Sequence, residues 1–317
     1  MSIPQKTMQV RIDSPGIYLS LPAHHYHADP CPKPSLSSGI AKKAALQTPR
    51  HVYHSHPRLN PECDPSSDDE IKRHTAQGSA CHELFLGIGG GIEIVDFSYK
   101  KKIKGSKETE TVRVADWKTD AAKEARDRAI AAKMTPRLWW EFDQDKAVVQ
   151  EAKQQLEWFD MSGGREAVVI TEESGFWSRS MCDILRADDL TIIDLKFTKI
   201  IADADAFGRH AYNMGYDIQA HHYARNLARM RGVSPHDVKF FFVCVECPEN
   251  GPVMTAVHQL DDALRVIGRE RHEAGEAAWQ HALKTDRWPG YPENIQTATA
   301  PTWALSQHIR MQETANV

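Results

Sequence analysis

No apolar run in the 317-residue chain approaches the ~18 residues of a membrane span, and the opening MSIPQKTMQV lacks the charged-then-apolar order of a secretory leader. Both absences point to the cytoplasm. Cysteine is scarce and scattered, at positions 31, 63, 81, 182, 244 and 247, which suits reduced thiols and not a disulfide framework. Positive charge is not in excess: 39 Lys and Arg face 43 Asp and Glu, a net charge of -4, which excludes a protein that coats nucleic acid indiscriminately. The GIGGG tract at 87–91 lacks a Lys-Ser/Thr ending and follows no strand, so it ends a helix and does not cradle phosphate. Histidines 24, 25, 27, 51, 54 and 56 lie in Pro-rich segments without the carboxylate or cysteine spacing of a zinc site. Cys244 and Cys247 have the spacing of half a metal knuckle, but an iron–sulfur cluster needs four thiolates and no cysteine follows them.

What is present is an ordinary globular composition, 41% hydrophobic and 26% charged, enough for one substantial core. Residues 1–33 are rich in Pro and His with little periodicity and read as an extended or partly ordered arm. Residues 34–290 carry the periodic pattern, and 291–317 read as a tail. Helices are predicted from near Ser37, over 68–86, over 120–132 and over 136–159. Strands are predicted at 92–100 and 110–114. Gly163-Gly164 then breaks the helical pattern, and three strands follow through Phe197. A helix over 206–231, a buried strand over 238–246 and an amphipathic helix over 261–285 complete the order. This succession predicts an α/β fold, a mixed sheet flanked by helices.

The chemistry concentrates in SRSMCDILRADDLTIIDLKFTK. Thr191 to Phe197 is β-branched and alternates, so Asp194 and Lys196 share one face while Ile193, Leu195 and Phe197 take the other. The turn at 186–189 returns this strand to the one bearing Asp183. Two carboxylates on adjacent strands make an oxygen site for a hard divalent cation, and a neighbouring lysine can orient water or offset developing negative charge. Taken alone, Asp-x-Lys favours an ion pair on the solvated face of an edge strand, and the rest of the chain has to decide.

Three further segments stand in a telling order around that hairpin: His82 in GSACHELFLG, Glu166 in REAVVI, and Gln219 with Tyr223 in MGYDIQAHHYAR. Together they resemble the PD-(D/E)XK nuclease superfamily, specifically the exonuclease VIII (RecE-type) nuclease domain. PSLSSGIAKKAALQTPRHVY resembles that family's entry segment, and MTPRLWWEFDQDKAVVQEAKQQL its helix before the first core strand. Met181-Cys182 stands where relatives carry Arg-Pro, so Asp183 is identified by its place in the strand.

The resemblance implies a restriction-endonuclease-like core and a Mg²⁺-dependent deoxyribonuclease, with Mn²⁺ able to substitute, that degrades double-stranded DNA from an end. Asp183 and Asp194 would hold the metal, with the Leu195 carbonyl and His82 as candidate further ligands. Lys196 would position the attacking water, with Glu166, Gln219 and Tyr223 beside the centre. It further implies 5′-to-3′ polarity, a ring-like homo-oligomer around DNA, and work with a single-strand annealing protein in recombination of phage or prophage type. The run YKKKIKGSK places Lys100, Lys101, Lys102 and Lys104 where a hairpin tip could meet a DNA backbone, although such runs are also plain solvated loops. The alternatives are a structure-specific or CRISPR-adaptation type endonuclease on the same core, or a non-catalytic DNA-binding protein.

Overall fold

The computed structural model describes residues 10–19, 21–60, 62, 73–103, 105, 107–199, 202–247 and 251–315. Its first part comprises β1 (Gly16–Tyr18), α1 (Ala23–His27), β2 (Ser35–Leu36), α2 (Ser38–Leu46) and α3 (Pro49–Ser55). Then come α4 (Arg73–Leu86), β3 (Ile92–Val95), β4 (Ser98–Lys102), β5 (Thr109–Arg113), α5 (Asp120–Ala131), β6 (Thr135–Leu138) and α6 (Trp139–Gln155). The rest is β7 (Gly163–Glu173), β8 (Phe176–Arg186), β9 (Thr191–Thr198), α7 (Ala204–Met214), α8 (Tyr216–Arg231), β10 (Lys239–Glu246), β11 (Met254–His258), α9 (Asp262–Thr285) and α10 (Thr302–Ala315). Among the described residues, no helix is long and apolar enough to cross a membrane.

The main sheet runs β1-β7-β8-β9-β10-β11, with β2 added to β8. β7, β8 and β9 form an antiparallel meander, whereas β9 and β10 run parallel in register from Thr191 opposite Lys239 to Thr198 opposite Glu246. A parallel pair needs a crossover, and α7 and α8 supply it. Because β10 is central, its KFFFVCVE sequence is nearly continuously apolar. One sheet face packs Ala167, Val169, Ile192 and Phe242 against Tyr223, Leu227 and Ala228 of α8. The other packs Ile184, Ile193, Leu195 and Val243 against Cys81 and Phe85 of α4 and Val149 and Ala152 of α6. Trp279 of α9 closes an outer layer over α2 and α8 with Ile40, Val52 and Ile218.

Local chemistry sets the boundaries. Ser37, Thr119, Asp203 and Asp261 each accept a hydrogen bond from the first turn of the helix they cap. Gly163 opens β7 with φ 146, and a Cβ there would meet the Leu185 carbonyl oxygen at 2.2 Å.

Four expectations are corrected. The helix over 206–231 is two helices, because Gly215 adopts φ 67 and ends α7 before α8 begins. The helix over 136–159 begins with a strand: β6 pairs in parallel with β3, and only at Leu138 does the Glu141 side chain accept the backbone N–H and start α6. The single strand over 92–100 is split between β3 and the hairpin strand β4. Residues 10–19 and 21–33 are packed in place and are not an extended or partly ordered arm. β1 joins the sheet edge beside β7, and Ile12, Leu21, Tyr26 and Cys31 pack on Val168 and Ile170. Asp29 pins the segment, accepting hydrogen bonds from the Ser35 N–H and hydroxyl at 2.9 and 2.7 Å and facing Arg179 and His56 at 3.3 Å each. The predicted helix start at 68–72 lies outside the described residues, and the segment after 290 carries the exposed helix α10.

Candidate active site

The site lies where the central strands part. β8 and β9 are paired only at Ile184 with Ile193 and Leu185 with Ile192. Beyond that point the alternation of β8 slips, since Cys182 and Leu185 face α8 whereas Ile184 faces α4 and α6. A backbone donor is thereby freed on β9, and Asp183 satisfies it: the Leu195 N–H donates to its Oδ2 at 2.6 Å. The other oxygen, Oδ1, is 3.2 Å from His82 Nε2 on α4. Glu166 sits across from Asp183, between the register pairs Arg165 with Ile184 and Ala167 with Cys182, and its φ of 47 is unusual for a residue with a side chain. Sequence order alone signals neither the slip nor the left-handed Glu166.

On the α8 side, Asp194 and Lys196 point the same way, as the strand period requires. Asp194 Oδ1 accepts from Gln219 Nε2 at 2.6 Å, and Lys196 Nζ donates to Gln219 Oε1 at 3.5 Å. One amide therefore braces both charged groups. Lys196 Nζ lies 2.5 Å from Asp194 Oδ2, yet no well-angled hydrogen bond reaches that buried oxygen. The contact neutralises Oδ2 without satisfying it. The ring of Tyr216, whose centroid is 4.5 Å from Nζ, forms a further wall.

Electrostatics within the cluster are mutual. Burial raises the Asp194 carboxyl, and Lys196 only partly offsets it. Burial works on Asp183 in the same sense, but the hydrogen bond and charge of His82 bring it below its ordinary value. Burial would lower His82 and Lys196, and the facing carboxylates raise both instead. Glu166 is raised, chiefly by burial.

Asp183, Asp194, Lys196, His82, Glu166 and Gln219 are thus brought together. Tyr223 is set deeper, against Phe240, with Ser38 as its hydroxyl partner. Leu195 takes part through its backbone, its side chain being core. Lys100, Lys101 and Lys102 are exposed on both faces of the separate hairpin β4–β5, and Lys104 lies outside the described residues. The Cys247 thiol meets that of Cys81 in the core.

Two groups near the site carry no sequence signal of their own. Lys42 of α2 is pressed to a pKa of about 8 by burial and by Lys196. Its neighbour Lys43 turns away to bond Ser55, and nothing in AKKAA separates the two. His210 packs edge-on against Tyr216 at 5.4 Å and, with Lys196, lines a cavity of about 70 Å³.

The donor set fits a hard cation. Among the described residues, no three His, Cys, Asp or Glu side chains form a ready metal cage. Mg²⁺ asks for less, one or two carboxylates completed by water and substrate oxygens, and Asp194 Oδ2 is a buried carboxylate oxygen lacking a hydrogen bond.

A family model described as a PDDEXK-like domain of unknown function (DUF3799) matches residues 100–301. Among solved structures, a Eubacterium rectale protein provisionally named an exonuclease is similar with TM-score 0.54 at 14% identity, over 86% of this chain and 93% of that one. A phage-related exonuclease from Haemophilus somnus is 20% identical over 65% of this chain and 95% of its own, with a TM-score of 0.28 that carries no weight for the fold. No curated protein matches the chain.

Proposed function

The chain belongs to the PDDEXK-like domain family of unknown function (DUF3799), and from that premise we propose that it is a divalent-metal-dependent deoxyribonuclease digesting double-stranded DNA from an end. The observation that carries this reading is the convergence of Asp183, Asp194 and Lys196 at the parting of β8 and β9, with Gln219 tying the last two together. A purely structural ion pair has no use for a second carboxylate, a histidine and a buried oxygen left without a hydrogen bond.

In the proposed reaction Asp183 and Asp194 would hold Mg²⁺ or Mn²⁺, with the Leu195 carbonyl and His82 as candidate further ligands, and a metal bound there would supply Lewis acidity toward the scissile phosphate. Lys196, held by Asp194, Gln219 and Tyr216, orients the attacking water and offsets charge gathering on the phosphoryl oxygens. Glu166 adds a third carboxylate beside Asp183, raised chiefly by burial. Tyr223 supports the helix that presents Gln219. The exposed lysines of the β4–β5 hairpin meet the DNA backbone.

The resemblance seen in the sequence supports 5′-to-3′ polarity, a ring-like homo-oligomer, a single-strand annealing partner and a cytoplasmic role in recombination of phage type. End-labelled linear duplex and covalently closed circular duplex, each incubated with the protein and Mg²⁺, test the reading. Progressive loss of the linear substrate with the circle intact is expected. Cutting of the circle would transfer the assignment to an endonuclease on the same core.

A further inference from the structure

Helix α8 has a second working face. Tyr216, Gln219 and Tyr223 look toward the nuclease centre, while Ala220, His221 and Ala224 line a cavity of about 300 Å³ between α8, α9 and β10. None of Asp183, Asp194 or Lys196 borders it. The volume falls within the range of small-molecule sites. Its apolar lining is made by Ala220, Ala224, Val238, Phe240 and Leu260.

Its mouth is cationic. Arg265 and Arg269 stand one turn apart on α9, with His236 across from them. Arg265 has only a loose contact, 3.8 Å, with the exposed Asp262, and among the described residues no carboxylate pairs with Arg269. The third lining arginine, Arg225, is already bound by Glu276 at 2.6 Å and Glu173 at 3.3 Å. Of the lining carboxylates, Asp217 is held by Arg271 at 2.7 Å and Glu273 is exposed at the rim. Burial, and then Arg225, Arg269 and His236, lower His221 to about 4, so its ring is neutral at physiological pH. Two guanidiniums beside an apolar lining that includes the Phe240 ring suit a planar ring carrying an anion, because guanidinium binds phosphate in a fixed fork and the apolar lining takes the ring.

We propose that this cavity binds a mononucleotide, its base against Ala220, Ala224 and Phe240 and its phosphate at Arg265 and Arg269, as a site separate from the nuclease centre. The choice of a nucleotide among planar anions rests on the nuclease reading, since end-digestion of DNA releases that molecule.

Calorimetric titration of the full chain in EDTA tests this independently of cleavage, with dAMP, deoxyadenosine and inorganic phosphate as probes. One dAMP per chain is expected, with the nucleoside and the free phosphate each weaker by roughly tenfold or more, since each lacks half of the contacts. The Arg265→Ala/Arg269→Ala variant should weaken dAMP by roughly tenfold or more, as loss of two charge-assisted contacts implies. Val266→Glu, at an exposed position of the mouth where folding is not at stake, should do the same by repelling the phosphate. Asp194→Asn should bind dAMP as the natural chain does. Absence of saturable binding in the millimolar range, equal binding of phosphate and dAMP, or loss in Asp194→Asn with neither mouth variant affected would overturn the inference. A chain that digests DNA but fails this titration loses only the cavity site, whereas one that binds dAMP here but cuts no DNA loses the nuclease reading.

Discussion

Replacing Lys196 by Met and Asp194 by Asn, singly and together, separates what the pair does for folding from what it does for cleavage. The charges are 2.5 Å apart, with side chains 19% and 4% exposed. At an effective dielectric constant of about 20, that distance corresponds to about 7 kcal/mol of attraction, set against several kcal/mol of desolvation for each ion. The pair therefore nearly balances, but either member left alone does not. Each single variant should lose about 3 kcal/mol of unfolding free energy, softened in Lys196→Met because the Asp194 carboxyl, already raised by burial, can take up a proton. The double variant buries neither charge and should lose about 2 kcal/mol less than the two single losses added together. Cleavage should behave differently. Each single variant should lose roughly a hundredfold or more in rate, and the double should be little worse than the poorer single, as expected of groups acting as one catalytic unit. Urea unfolding followed by circular dichroism reads the first quantity, and single-turnover digestion of end-labelled duplex reads the second. Stability losses that simply add would refute the buried-pair energetics. A single variant cutting at near-natural rate while folded would refute the catalytic assignment.

Digestion should cease in EDTA and return with Mg²⁺ or Mn²⁺, and undiminished cutting in chelator would remove the metal mechanism. Replacing Lys100, Lys101, Lys102 and Lys104 by Ser should weaken duplex binding and flatten its salt dependence without altering the thermal unfolding midpoint; an unchanged slope in a salt titration would make the hairpin a plain solvated loop. Acid should loosen the N-terminal segment through Asp29. Burial opposes its ionisation, but Arg179, His56 and Ser35 hold its carboxyl at about 2, against 3.8 for the unperturbed group. A depressed value means stability that is present above about pH 4 and lost as pH falls through about 2, worth about 2 kcal/mol. The gap in unfolding free energy between the natural chain and Asp29→Asn should narrow by that amount between pH 6 and pH 2, and a constant gap would show that Asp29 contributes no such linkage.

Much of the site is legible in the chain because strand alternation is local. Asp194 and Lys196 share a face in any strand that contains them, and Gln219 and Tyr223 share a face in any helix. Their order around Asp183 points to the PDDEXK-like fold, and the family match agrees. Local pattern does not reveal where alternation fails. The slip at Asp183 and Ile184, the left-handed Glu166 and the strand at Thr135–Leu138 all depend on partners distant in sequence. The segment before residue 34 reads as an extended or partly ordered arm for the same reason: Tyr26, Cys31 and Asp29 have no periodic neighbours, and their burial comes from β7, β8 and Arg179.

Backbone sterics act over a few residues, so the sequence by itself determined the meander of β7, β8 and β9, the apolar β10, the capped helices and the shared face of Asp194 and Lys196. Which groups meet across that framework was decided by tertiary structure alone. Lys42 reaches the centre while Lys43 turns to Ser55, Gln219 spans both Asp194 and Lys196, and Arg265 and Arg269 rim a cavity assembled from α8, α9 and β10. The physical reason is that a side chain's partners follow from long-range packing and desolvation, which arise only once the sheet and its helices have closed on each other.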